Sequence, residues 1–268
     1  MPLPWLSWSS WSEMYGQRTR ESTSGTRKIK AVVEYDGTRY AGFQQQPSQL
    51  TIQGEVERAL AEVTQQRTKI VGAGRTDAGV HAKGQVVHFL TGWKRSLKEL
   101  DRAFNALVSD DVAIREMAVA PSDFHARFSA VTREYRYTIL NQEVRSPLEA
   151  RYAYHHAQPL DEAAMRKALA YLVGTHDFSS FGQPTQGDST VRKIVHASCF
   201  RGGTHIYVDL TANAFLRRMV RSIVGTLVLV GRGALSPVNV KEIFQARDRS
   251  LAGSPAPPHG LCLVRVNY

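Results

Sequence analysis

Gly72-Ala-Gly-Arg75-Thr-Asp77-Ala-Gly79-Val-His81-Ala82 is the stretch on which the reading of the fold turns. Its three glycines free the backbone to turn sharply and to approach a ligand closely. Between them stand one cation, Arg75, and one carboxylate, Asp77. Taken alone, Asp-Ala-Gly is ordinary turn chemistry. The flanks say more. Residues 69–71 read as a strand running into the glycines, and residues 85–90 read as the strand leaving them. The stretch is therefore a strand–loop–strand connection. No helix follows the glycines, so it is not the dinucleotide-binding fingerprint, and the chain has no Walker loop.

Upstream, residues 28–35 alternate, with Ile29, Ala31, Val33 and Tyr35 on one face, and Asp36-Gly37 supplies a turn. Thr51 caps a helix that carries Ile52, Val56, Leu60 and Val63 on one stripe. Downstream, Ser96-Leu-Lys-Glu99 is a capping box, followed at helical spacing by Leu97, Leu100, Phe104 and Leu107. Residues 112–119 close the unit as a strand. The order is βαββαβ, the ferredoxin-like pattern.

A second unit has the same order with one added helix. Val131, Arg133, Tyr135, Tyr137 and Ile139 share a face of its first strand, and Asp161 caps its first helix. Residues 191–200 and 205–212 are strands joined at Gly202-Gly203. A helix is expected from about residue 215 to 230, and Ser236-Pro237 starts another. Residues 260–266 form the last strand. The expectation is an α+β chain with an N-terminal subdomain over residues 28–125 and a C-terminal one over 126–268. Two antiparallel sheets would join around a central cleft, with the face opposite the helices free to meet a ligand. Residues 1–27, with Trp5, Trp8 and Trp11 and then a polar run, read as a disordered extension without a secretory pattern.

Bulk composition narrows the function. The 268 residues are 43% hydrophobic, enough for a substantial core. Lys and Arg outnumber Asp and Glu by 34 to 24, a surplus that favours a polyanionic partner, most often nucleic acid. Two distant cysteines build neither a disulfide framework nor a zinc site. The histidines show no metal spacing, so no metal is expected, and no apolar run reaches the length of a membrane span. A soluble, cytoplasmic protein is the expectation.

Two residues invite chemistry. Arg221 is flanked by Val220 and by Ser222-Ile223-Val224, an apolar setting in which a guanidinium needs a carboxylate. Asp77 from the other half is a candidate, and such a pair would orient it for nucleophilic attack. Tyr135, in Arg133-Glu-Tyr135-Arg-Tyr137, is either a core aromatic or a ring that stacks on a nucleobase. Arg217 and Arg218 extend the basic cluster around Arg221.

The quoted loop, from Gly74 to Ala82, resembles the signature loop of the tRNA pseudouridine synthase A family. Tyr35-Asp-Gly-Thr38-Arg-Tyr40-Ala-Gly42-Phe43-Gln44 is similar to that family's opening motif, with Phe43 where the family usually has Trp. Tyr135-Arg-Tyr137, the stretch from Gly174 to Phe181, the stretch from Asn213 to Gly225, and Gly260-Leu261-Cys-Leu263 follow in the family's order. The resemblance implies isomerisation of uridine to pseudouridine at positions 38, 39 and 40 of the tRNA anticodon stem-loop, by a homodimer without a cofactor. It places the catalytic aspartate on Asp77 and its paired arginine on Arg221. The tyrosine that contacts the base falls on Tyr135, and the arginine that helps unstack it on Arg75. The apolar residue beneath the uracil falls on Leu261.

Two other readings compete. A non-catalytic RNA-binding protein would leave Asp77 and Arg221 unexplained. A hydrolase acting through Asp77 would need a second carboxylate, for which Asp36 and Asp177 are available in sequence.

Overall fold

The structure, a computed structural model, describes residues 25–184 and 187–268. Most of the expected N-terminal extension therefore lies outside the described residues. The first strand begins at Arg27, inside the stretch assigned to that extension.

The alternating and helical patterns fold as their periods require. β1 (Arg27–Tyr35) buries Ile29, Ala31, Val33 and Tyr35. α1 (Ile52–Thr64) starts where Thr51 accepts from the Gly54 N–H at 3.2 Å. β2 is only Val71–Gly72, and β3 runs His81–Thr91, starting inside the quoted stretch. α2 (Leu97–Leu107) carries the complete Ser96/Glu99 capping box, and β4 (Val112–Val119) follows. The second set comprises β5 (Thr132–Leu140), the two-residue β6 (Tyr154–His155), α3 (Glu162–Ala170) and β7 (Gly174–Asp177). It continues with the hairpin β8 (Val191–Gly202) and β9 (His205–Ala212), then α4 (Met219–Gly231), α5 (Pro237–Ala246) and β10 (Leu261–Asn267).

All the strands join one sheet, whose main path is β4-β1-β3-β10-β5-β9-β8-β7. Within it, β4-β1-β3 with β2 beside β3, and β10-β5-β9-β8, each place four strands in the order fourth, first, third, second. The two sets meet where β10 runs parallel to β3, pairing Cys262 with His81 and Leu263 with Ala82. A single row of side chains crosses this seam: Tyr35, Ala82, Leu263, Tyr135 and Leu210, all buried. The core lies between this face and the helices, joining Ile52, Val56 and Leu60 of α1 to Met219, Val224 and Leu227 of α4.

Three expectations need correction. The helix expected from residue 215 starts at Met219, because Arg217 bridges to Gln183 and Arg218 turns left-handed at φ +64°. The hairpin turn lies at Gly203-Thr204, since Gly202 still pairs with His205. The main cleft opens on the face that carries the helices, in the gap between α1 and α4, so the free face of the sheet is not where Tyr135 points. Part of that other face is covered instead: Lys30 lies over the rings of Phe124 and Tyr268.

Candidate functional site

A cleft of about 970 Å³ lies above the β3–β10 seam. Asp77 and Arg75 from the quoted loop, with Tyr135, Arg221 and Leu261 from three other parts of the chain, all line it. A smaller hollow of about 460 Å³ beside Asn141 and Arg201 holds none of them.

Asp77 rides on a loop pinned from several sides. The Thr76 carbonyl accepts from Phe43 N–H at 3.1 Å, and the Thr76 hydroxyl meets the buried Tyr35 hydroxyl at 2.8 Å. Gln85, wholly buried, donates its amide to the Gly74 carbonyl at 2.9 Å. Gly42, at φ +105°, passes so close that a Cβ there would stand 2.8 Å from the Thr76 carbonyl oxygen. The backbone of the nucleophile candidate is thus fixed, while its carboxylate stays 27% exposed to the cleft.

Arg221 sits in the first turn of α4, the end at which a cation opposes the helix dipole. Its position therefore depends on specific acceptors. Its Nε donates to the Ala256 carbonyl at 2.7 Å, and its Nη1 donates to Asp77 Oδ2 at 3.2 Å. The Ala256 N–H returns a bond to the Arg221 carbonyl at 2.9 Å. The pair expected from an isolated guanidinium in an apolar setting is formed, across 144 residues of sequence.

Tyr135 is buried on the sheet, with its ring edge-on to Phe215 at 5.0 Å. Burial pushes its phenol pKa up; the Arg133 charge opposes this and the Asp77 charge adds to it. The group is a neutral phenol at ordinary pH, suited to contact and hydrogen-bond donation rather than to proton abstraction. Leu261, 6% exposed, opens β10 in register with Tyr137. Arg75 is exposed at the cleft wall.

A family profile described as tRNA pseudouridine synthase matches residues 31–129 and 168–268. The chain is 44% identical over 244 residues to the tRNA pseudouridine synthase A of Anoxybacillus flavithermus, covering 90% of this chain and 99% of that protein. The proteins of the same name from Syntrophotalea carbinolica and Moorella thermoacetica are 43% and 45% identical, each over 90% of this chain and over 96% and 99% of theirs. The chain belongs to the tRNA pseudouridine synthase family. Among solved structures, an H/ACA RNP bound to a substrate RNA containing 2'-deoxyuridine overlaps 75% of this chain and 44% of that one. The TM-score is 0.36 at 12% identity.

Other residues hold the surroundings of this synthase-family cleft in ways that the sequence did not specify. Arg133 is buried without a carboxylate, and its guanidinium donates to four carbonyls: Ala73, Arg127, Ala130 and Asn213. It ties the base of the Asp77 loop to the strand that carries Tyr135. An arginine in register with Tyr135 and Tyr137 on a buried face was the available signal. Gln85 had a similar one, a polar residue in an otherwise apolar strand. His81 is structural: its Nδ1 accepts from Gly37 N–H at 3.0 Å and its Nε2 faces the Arg151 carbonyl at 2.8 Å. Neither Asp36 nor Asp177 lines the cleft, which removes the second carboxylate a hydrolase would use. Asp36 is held by Thr38 and Tyr152, and Asp177 by Ser179 and Thr190. Among the described residues, no group of three or more His, Cys, Asp or Glu side chains is placed to share a metal ion. No helix there is long and apolar enough to cross a membrane.

Proposed function

We propose that this chain isomerises uridine to pseudouridine at positions 38, 39 and 40 of the tRNA anticodon stem-loop, with Asp77 as the nucleophile. The observation that carries the reading is the carboxylate of Asp77, 3.2 Å from Arg221, in a cleft large enough for a nucleotide. In the reaction the bond from ribose C1′ to uracil N1 breaks and a bond from C1′ to C5 forms. One proton leaves C5 and one is gained at N1, so no electron or group is exchanged with a cofactor. Asp77 attacks the ribose carbon or the uracil ring, and either route returns the carboxylate unchanged. Arg221 orients that carboxylate and supplies positive charge beside it. Extrusion of the base from its stack costs a few kcal/mol. Arg75, exposed at the wall, is assigned to that step. Tyr135 and Leu261 flank the extruded ring. We also infer a cytoplasmic homodimer, which a molecular mass measured in solution would test.

The test is product formation on an unmodified anticodon stem-loop by wild type and Asp77→Asn, without added metal or nucleotide. Conversion by wild type alone, with binding retained in the variant, is expected. Conversion by both would remove Asp77 from its role. Conversion by neither, with salt-sensitive tRNA binding, would favour a binding protein.

A further inference from the structure

The wall formed by residues 217–221 is far more basic than the Asp77–Arg221 pair requires. Six arginines line the cleft, and Asp77 is the one carboxylate among the described residues that does. Arg221 is engaged by Asp77 and Ala256, and Arg133 by four carbonyls. Arg217 and Arg218 are different. Both are exposed in the cleft, and no described residue accepts a hydrogen bond from either guanidinium or forms an ion pair with it.

Arg218 also holds an unfavourable backbone. It is left-handed, at φ +64° and ψ 2°, and its side chain makes no capping bond to α4. A residue with a Cβ pays for that conformation, and glycine would adopt it freely. Its charge is no better placed, since it precedes a helix N-terminus and stands three residues from Arg221. Had the helix continued back through Phe215, as its apolar spacing suggests, Arg217 would stack one turn from Arg221. The left-handed turn instead takes both side chains off the helix and leaves them lining the cleft. The bridge from Arg217 to Gln183 and the burial of Leu216 and Met219 hold this turn, but no described residue offsets its charge. A polyanion in the cleft would.

We propose that Arg218, with Arg217 beside it, is a backbone-phosphate contact for the RNA strand that carries the target nucleotide. This rests on the reading of the cleft as an RNA site. The guanidinium fork matches a phosphodiester's two free oxygens. The contact holds the strand while the base is extruded toward Asp77, so it acts mainly on binding.

The experiment compares wild type, Arg218→Gly and Arg218→Asn in three measurements. These are the thermal midpoint, the Kd for the anticodon stem-loop across a salt series, and steady-state kinetics on the same RNA. Both replacements tolerate the left-handed backbone. The expected thermal midpoint is unchanged or up to about 4 °C higher. The expected Kd is about tenfold weaker, with the salt slope reduced by about one, and KM rises more than kcat falls. An unchanged Kd with an unchanged salt slope would overturn the assignment. So would a lowered midpoint accompanied by proportional loss of binding, which would make Arg218 a residue that maintains the fold. If wild type binds the RNA but forms no pseudouridine, the proposed reaction falls, while the Kd comparison still decides the role of Arg218.

Discussion

The two walls of the cleft are built on opposite principles. The Asp77 wall is held near its carboxylate by uncharged contacts, Thr76 against Tyr35 and Phe43 and Gly74 against Gln85, with one cation, Arg133, at its base on the Ala73 carbonyl. The Arg221 wall is crowded with cations, begins on a left-handed arginine, and is held by the strap at residues 253–256. The first wall fixes the backbone of Asp77, the candidate nucleophile. The second carries charge toward the cleft and accepts a local cost for doing so. In this family member, geometric precision and electrostatic attraction are thus assigned to different segments, which meet at one ion pair.

Each wall has a glycine whose replacement breaks it. A Cβ on Gly225 would lie 1.9 Å from the Ser254 carbonyl oxygen, so Gly225→Ala must drive the strap off α4. The expected loss is about 3–5 kcal/mol, read from denaturant unfolding. Gly42→Ala meets the Thr76 carbonyl at 2.8 Å and is further strained by its φ of +105°. Its loss of stability should be smaller, about 2–3 kcal/mol. Its fall in kcat per unit of stability lost should be greater, because Thr76 adjoins Asp77. Equal ratios for the two variants would mean that the walls do not differ in function.

Arg221→Lys probes where they join. The guanidinium serves Ala256 and Asp77 through two different nitrogens, a fork that an ammonium cannot reproduce. We expect kcat to fall about 10–100-fold with little change in KM, since charge is retained while orientation is lost. A tenfold rise in KM with kcat intact would instead place Arg221 among the binding arginines, with Arg217 and Arg218.

Much of this was legible before any coordinates. The two βαββαβ sets announce themselves through alternation, helical stripes and caps at Thr51, Ser96 and Asp161, each of which forms in place. The Asp77–Arg221 pair follows from an arginine set among apolar neighbours. What stayed hidden depends on contacts between distant segments. Phe215, Leu216, Met219 and Val220 continue a helical apolar pattern, and only the bridge from Arg217 to Gln183 cuts the helix short. The two-residue β6 is shorter than any periodicity can register. Arg133 finds its acceptors in separate segments, at Ala73, at Arg127 and Ala130, and at Asn213, so its neighbours in sequence could not show them. The choice of sheet face was decided by the gap between α1 and α4, which no single element encodes.

The smallest expected effect is set by acidity, and it falls on the Asp77 side. His88 of β3 accepts from the Ala126 N–H through Nδ1 at 3.0 Å. The next residue, Arg127, gives its carbonyl to Arg133, which also holds Ala73 at the base of the Asp77 loop. Burial, aided by the charges of His125 and Lys28, lowers the His88 pKa from 6.5 to about 4. Between those values the unfolded chain binds the proton more readily than the folded one, so stability declines as pH falls from 6.5 toward 4 and is fully present above 6.5. Protonation would also set an N–H on Nδ1 against the Ala126 donor. His156 and His259 are likewise lowered by burial and contribute to the same slope. Asparagine can present its amide oxygen where Nδ1 stands and does not titrate. His88→Asn should therefore match wild type at pH 7.5 and unfold at a higher denaturant concentration than wild type at pH 5. Superimposable midpoints at pH 5 would show that His88 does not couple acidity to the Asp77 wall.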